Sequence, residues 1–435
     1  MKTIFKTLMT DFQEKKLDGI IKREYRIPLD STKIITLTGV RRCGKTFILY
    51  DLINDLRKSF PVENIIYINF EDDRLFPIAL KDLDSLMEGY YEMYPGKREE
   101  QVWLFLDEVQ NVPDWERYVR RIYDTLNIQI FITGSSAKLL SSEIATALRG
   151  RTLTFEIFPF SFPDYLKAKN IAINVNRSSA VSHIKHALNA FLVDGSFPET
   201  IGQTAEIRGR ILRDYLNLIV YKDIIERYGV KNNSLLKYLI KYSFNNISTL
   251  VSLNKMYNEF RSRGFRVGKD TIYDYYSYLE DAYALFSVPI FRNSIREEQR
   301  NPRKIYAVDN GFKGVYDAFV TDDIGKLYEN TVFLHLRRQT SEIYYYKGKQ
   351  EVDFYCRISG KPQLINVCFN LVKDATRERE INGLMEAMDY FKLNDSFLIS
   401  EDTEETIKIG TKQIFIVPLW KWLIMSLELP NNSWH

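Results

Sequence analysis

The chain has 435 residues, 45% of them hydrophobic, including 28 Tyr and 27 Phe. That is too much for one ordinary core and predicts several domains. Lys and Arg number 60 against 57 Asp and Glu, a net charge of +3, so any basic surface for nucleic acid must be local rather than global.

Residues 11–27 read as an amphipathic helix leading in. Ile34 to Thr38 is a short β-rich run. Gly39-Val40-Arg41-Arg42-Cys43-Gly44-Lys45-Thr46 follows it and fits the phosphate-loop pattern G-x-x-x-x-G-K-[ST]. A helix-like run over 47–53 comes next, giving the strand, loop, helix N-terminus order that phosphate binding needs. Gly39 and Gly44 let the backbone N–H groups converge on phosphates. Lys45 is expected to reach the β- and γ-phosphates, and the Thr46 hydroxyl to ligate Mg²⁺.

A second strand over 64–70 ends in Glu71-Asp72-Asp73, either at the same carboxyl edge or in a charged loop. The apolar run Val102 to Leu106 predicts a strand buried on both faces, and Asp107-Glu108 ends it. Buried carboxylates at a strand tip are costly unless they have a task there. Asp107 is expected to hold Mg²⁺, and Glu108 to orient or deprotonate the attacking water. A further strand over 128–133 runs into Gly134-Ser135-Ser136, whose hydroxyls suit a γ-phosphate sensor, Ser135 first. Arg149 or Arg151 follows as a finger for transition-state charge, in its own chain or a neighbour's; Arg151 is the preferred assignment, and a solvated guanidinium is the alternative.

Phe158 to Pro163 punctuates the chain and is expected to end the nucleotide domain. Residues 164–240 read as mostly helical. Over 235–290 a short helix, a basic turn with Arg261, Arg263, Arg266 and Lys269, and a second helix suggest a helix-turn-helix or winged-helix unit. Asp270, Asp274, Glu280 and Asp281 put negative charge on the would-be reading helix, so a protein-contacting or hinge role stands beside DNA binding. Residues 343–347 and 351–355 predict a β-hairpin, and 363–368 the next strand.

The cysteines, Cys43, Cys356 and Cys368, follow no metal or disulfide spacing, which suits a reducing cytoplasm. His183 and His186 read as ordinary helix surface. The N-terminus is soon interrupted by Asp11, Glu14, Lys15 and Lys16 and reads as no signal peptide. No run predicts a membrane span; the nearest, 414–425, contains Pro418 and Lys421 and reads as core.

Taken together, these residues resemble the AAA-like ATPases of bacteria and archaea that carry a C-terminal restriction-endonuclease-like domain. The resemblance rests on Gly39 to Thr46, Phe70-Glu71-Asp72, Leu106-Asp107-Glu108-Val109-Gln110, Thr133 to Ser136, Gly150-Arg151, Pro159-Phe160-Ser161-Phe162, and Gly195 with Phe197-Pro198-Glu199. Tyr306 to Gly311, Tyr328-Glu329-Asn330 and Glu351 to Phe354 extend it. It implies an α/β chain: an N-terminal helix (1–28), a P-loop NTPase parallel sheet (29–165), a helical connector (166–234), a winged-helix unit (235–298) and an α/β restriction-endonuclease-like domain (299–435). ATP and Mg²⁺ are the implied ligands. DNA through the winged-helix region, a protein partner and a second copy of the chain are the candidate partners, with no membrane. In active nucleases of the C-terminal type, carboxylates hold a metal and a lysine helps activate water. Glu329 and Asp353 match the first two acids. Asn366 stands where the third acid belongs and Cys368 where the lysine belongs, so the resemblance implies a degenerate site without nuclease activity.

Overall fold

Five short strands make the first sheet: β1 (Ile34–Thr38), β2 (Ile65–Asn69), β3 (Val102–Asp107), β4 (Ile128–Gly134) and β5 (Thr152–Glu156). They come from a computed structural model that describes residues 1–135, 148–292, 294, 297, 301–316 and 323–425. Their order is β2-β3-β4-β1-β5, and every pairing is parallel. β1, β3 and β4 are buried at every residue, which is why they read as mostly apolar runs broken by only a few polar side chains. Parallel neighbours need crossovers, and helices α2 (Lys45–Leu56), α3 (Asp84–Met93) and α4 (Trp115–Thr125) lie in them. The sheet and its helices are the α/β fold of a P-loop NTPase. They belong to one of two units, Met1–Phe158; the other is Pro159–His435.

The leading helix is not at 11–27. Helix α1 spans Lys2–Glu14 and buries Phe5, Leu8, Met9 and Phe12. Those positions recur at i, i+3, i+4 and i+7, the stripe of a helix lying on a core. Each such burial contributes about 1.5–3 kcal/mol, more than the weak amphipathicity downstream could offer. The chain beyond it is extended at Lys15 and turns at Gly19, where φ is +71°.

The second unit begins with helices α5 (Phe162–Ala168), α6 (Ser178–Asp194) and α7 (Ala205–Leu218), in keeping with the helical reading of that stretch. Then come α8 (Asn233–Asn245), β6 (Thr249–Val251), α9 (Leu253–Ser262), α10 (Lys269–Asp281), β7 (Leu285–Val288) and β8 (Arg303–Ala307). Their strands form an antiparallel sheet in the order β6-β8-β7. Helices α11 (Gly311–Tyr316) and α12 (Ile324–Arg337) lead into a mixed sheet. Its strands are β9 (Ile343–Lys347), β10 (Glu351–Ile358), β11 (Lys361–Val367), β12 (Asp395–Ser400), β13 (Glu405–Ile409) and β14 (Lys412–Pro418). They are ordered β13-β14-β12-β11-β10-β9, with α13 (Asp374–Phe391) crossing between β11 and β12. The expected hairpin is β9–β10, with Lys347 opposite Glu351. Residues 414–425 are core as expected, the end of β14 followed by α14 (Leu419–Met425). Among the described residues no helix is long and apolar enough to cross a membrane.

Candidate functional site

The carboxyl ends of the parallel strands lie level: Thr38 pairs with Gly134, and Asn69 with Asp107. The loop from Gly39 to Gly44 rises from that edge. Gly39 has φ +148°, and a Cβ there would stand 2.0 Å from the Ile157 carbonyl oxygen, so only glycine fits. Gly44 is left-handed (φ +98°) and caps α2, which starts at Lys45. Val40 and Cys43 are buried, whereas Arg42 is exposed with φ +64°. Arg41 reaches Glu71 at 3.4 Å, which settles that the acids after β2 share this edge. Burial pushes the Cys43 thiol pKa up, leaving it the neutral filler of the loop floor. Its carbonyl accepts from Arg23 Nη1 at 3.0 Å, while Arg23 Nη2 donates to the Phe158 carbonyl at 2.8 Å.

Lys45 is buried, with Nζ 3.2 Å and 3.3 Å from the carbonyls of Gly39 and Val40 and 3.7 Å from Glu108 Oε1. Burial opposes its charge, but the carboxylates of Glu108 and Asp107 raise its pKa above the ordinary value. The Thr46 hydroxyl donates to Asp107 Oδ2 at 2.7 Å. Tyr67 donates to the same oxygen at 2.7 Å, and the Thr133 hydroxyl donates to Oδ1. Burial first, and Glu108 second, push the Asp107 carboxyl pKa up; the three hydroxyls work against that. Thr133 also accepts the Glu108 backbone N–H at 2.9 Å. Glu108 itself is left-handed, with φ +51°, an uncommon conformation for a non-glycine residue. Its carboxylate accepts from the Gln110 side-chain amide.

The structure thus brings Gly39, Val40, Arg41, Arg42, Cys43, Gly44, Lys45, Thr46, Asp107 and Glu108 to one edge. Ser135 joins them, buried just beyond β4; Ser136 lies outside the described residues. Arg151 does not join them. It precedes β5, whose first residue pairs with the first residue of β1, and its carbonyl accepts the Ile34 N–H at 2.8 Å. Five residues of strand, about 13 Å at 3.3 Å per residue, separate that amino edge from the loop. Its guanidinium pairs there with Asp124 at 2.9 Å and 3.1 Å. A finger acting within its own chain is therefore corrected: parallel pairing starts Arg151 at the wrong end.

Tyr67 and the Asp107-holding role of Thr133, with Arg23, escaped the sequence reading because each acts through a contact across the chain. A polar side chain inside an otherwise apolar strand was the available signal for the first two. In the second unit the structure brings Glu329 and Asp353 together with Glu351 of the same segment and adds Lys304, which had no motif to mark it. Arg261 in the last turn of α9 and Arg263 and Arg266 just after it are exposed, and Arg263 pairs with Glu259 at 2.8 Å.

Residues 31–166 match the family described as an AAA domain, and 185–319 match a domain of unknown function, DUF8612. An uncharacterized protein of Methanocaldococcus jannaschii, MJ1544, is 36% identical over 97% of this chain and 95% of its own length. An uncharacterized Haemophilus influenzae protein is 28% identical over 91% of this chain and 95% of its own. Among solved structures, the Walker-type ATPase Paby2304 of Pyrococcus abyssi is similar at 15% identity and TM-score 0.40, over 73% of this chain and 95% of that one. The Aeropyrum pernix Orc1 protein, solved in complex with DNA, is similar at 15% identity and TM-score 0.32, over 76% and 93%. The chain belongs to the same family as the Methanocaldococcus jannaschii protein, with an AAA domain of P-loop fold at residues 31–166.

Proposed function

We propose that the chain is a Mg²⁺-dependent ATPase used as a regulatory switch. The observation that carries this reading is the 2.7 Å contact between the Thr46 hydroxyl and Asp107. A phosphate-loop hydroxyl and a strand-end carboxylate meet at one point, and both are hard oxygen donors of the kind Mg²⁺ takes. When bound, Mg²⁺ neutralises phosphate charge. The backbone from Gly39 to Gly44 cradles the phosphates, and the α2 N-terminus adds its positive end. Lys45 leaves Glu108 and the loop carbonyls to contact phosphate. Glu108, released from that ion pair, orients the water and accepts its proton. Ser135 is the proposed sensor of the γ-phosphate. Arg151 is retained only as a finger reaching a second copy of the chain.

Steady-state ATP hydrolysis tests this directly. Wild type is expected to turn over slowly, Lys45→Ala to lose ATP binding, and Glu108→Gln to bind ATP while kcat falls by about 10²-fold or more. Wild-type protein that neither binds nor hydrolyses a nucleoside triphosphate would falsify the proposal.

The same reading divides the chain into an N-terminal helix (1–28), the ATPase core (29–165), a helical connector (166–234), a winged helix (235–298) and a nuclease-like domain (299–435). The helix, strand, helix, helix, strand, strand order of α8 to β8, with sheet order β6-β8-β7, supports the winged helix. It also favours a second reading, nucleotide-controlled DNA binding through Arg261, Arg263, Arg266 and Lys269. On that reading, replacing all four with Ala weakens duplex binding and flattens its log–log salt slope by ~0.9 per lost phosphate contact. Duplex affinity unchanged by the four substitutions leaves a protein partner as the recipient of the switch.

A further inference from the structure

We infer that the ammonium of Lys304 is the resident cation of the C-terminal carboxylate cluster, standing in the place a divalent metal would take. Lys304 sits on β8, with its side chain 3% exposed. Nζ lies 2.6 Å from Asp353 Oδ1, 2.9 Å from Glu351 Oε1 and 3.1 Å from Glu329 Oε1. An ammonium has three N–H donors, and here three carboxylates from two separate elements, α12 and β10, converge on one nitrogen.

Neighbouring groups hold several of these side chains in place. Glu329 Oε1 accepts a second bond from the Tyr306 hydroxyl at 2.7 Å. Asp353 Oδ2 accepts the Val367 backbone N–H at 2.8 Å. Asn366, where a metal-holding acid was expected, accepts the Asp353 N–H at 2.9 Å and donates its amide to Glu380. Arg379 holds the other Glu380 oxygen. Burial pushes the Cys368 thiol pKa up to about 11, so it supplies no charge in place of a lysine. Among the described residues no His, Cys, Asp and Glu group has the geometry to hold a metal ion.

The charge of Lys304 is stable there. Burial alone would lower its pKa, but Asp353, Glu329 and Glu351 lift it well above the ordinary lysine value. A divalent ion at this point would have to displace a buried ammonium and leave it unpaired beside a second cation, which burial makes unfavourable. The cluster is therefore a strap. It fastens the small β6-β8-β7 sheet to α12 and to the large sheet.

Mn²⁺ binding to the full chain, measured by electron paramagnetic resonance without nucleotide, tests the strap. Four proteins are compared: wild type, Glu329→Gln/Asp353→Asn, Lys304→Met, and Lys304→Met carrying both acid substitutions. Wild type and Glu329→Gln/Asp353→Asn are expected to bind Mn²⁺ identically, any binding belonging elsewhere. Lys304→Met is expected to gain one Mn²⁺ per chain that its acid-substituted form lacks. A wild-type Mn²⁺ site lost in Glu329→Gln/Asp353→Asn overturns the inference, and that comparison stands even if Lys304→Met does not fold. A folded Lys304→Met that gains no site overturns it as well.

Discussion

Asp107 receives hydroxyls from three distant places in the chain: Thr46 in the phosphate loop, Tyr67 in β2 and Thr133 in β4. Thr46 and Thr133 belong to segments that mark the family resemblance; Tyr67 does not. Tyr67 lies outside the phosphate loop, yet it fixes the carboxylate that Mg²⁺ is proposed to share. Tyr67→Phe removes that donor while keeping the ring stacked on Phe12, 4.2 Å between centroids. The expected result is a rise of about tenfold in the Mg²⁺ concentration for half-maximal hydrolysis, because groups that orient metal ligands typically carry 10–100-fold. ATP affinity without metal should be little changed. Equal losses of both would mean that Tyr67 merely supports the fold.

The segments that mark family resemblance in the second unit gather in one buried network. Ser196 donates to Asp309 Oδ2 through both its N–H and its hydroxyl, each at 2.7 Å, and the Gly311 N–H donates to Oδ1 at 2.8 Å. Asn330, on α12, donates to the Ala307 carbonyl at 3.1 Å and to Asn310 at 2.8 Å. Arg338 donates to the carbonyls of Pro159 and Phe160 at 2.9 Å and 3.2 Å. Gly195 is the tight point: φ is +81°, and a Cβ would stand 2.0 Å from Asp309 Oδ1. Gly195→Ala should therefore cost about 2–4 kcal/mol, the sum of overpacking and left-handed strain, read as a lower urea midpoint. A cost below ~0.5 kcal/mol, the size of an ordinary surface change, would show that the network yields.

Helix α12 also carries a buried histidine. Burial holds the His335 pKa down to about 3 against an ordinary 6.5. A depressed pKa means that the unfolded chain binds the proton better. The stability contributed is present above 6.5 and is lost as pH falls towards 3, at about 1.4 kcal/mol per pH unit. Asp309 has the opposite sign. Burial raises its pKa from 3.8 to about 6, so its contribution is present below 3.8 and is lost as pH rises through 6. The two slopes oppose each other between pH 4 and 6. His335→Phe should remove one of them, so that its stability falls less steeply on acidification than wild type's. Parallel pH profiles would contradict a neutral buried His335.

At the scale of the whole molecule, strand order governs which residues can share a site. Parallel pairing of β1 with β5 sends Arg151 to the amino edge, where Asp124 holds it. Arg151→Ala should leave single-turnover ATP binding by the isolated chain unchanged. Any role in trans should appear as complementation, in which mixing Arg151→Ala with Lys45→Ala protein restores hydrolysis that neither has alone. No recovery on mixing, with full activity of Arg151→Ala alone, would remove the finger assignment altogether.

The sequence by itself determined what depends on neighbours along the chain. The phosphate loop was legible because two glycines, a lysine and a threonine have to stand at fixed spacing between a strand and a helix. The buried strands of the first sheet were legible because parallel strands covered on both faces are mostly apolar. The β9–β10 hairpin was legible from two β-rich runs a few residues apart. Tertiary structure alone decided the rest. Residues 11–27 carry polar and apolar residues at helical spacing, but the core selected Lys2–Glu14, whose stripe is more apolar. Tyr67 and Lys304 belong to no local pattern, and the pattern around Thr133 does not announce its bond to Asp107; each works by standing within hydrogen-bonding distance of a group 26 to 49 residues away. Such meetings are set by sheet order and register, which arise when separate segments bury their apolar faces together, so no local spacing along the chain can announce them.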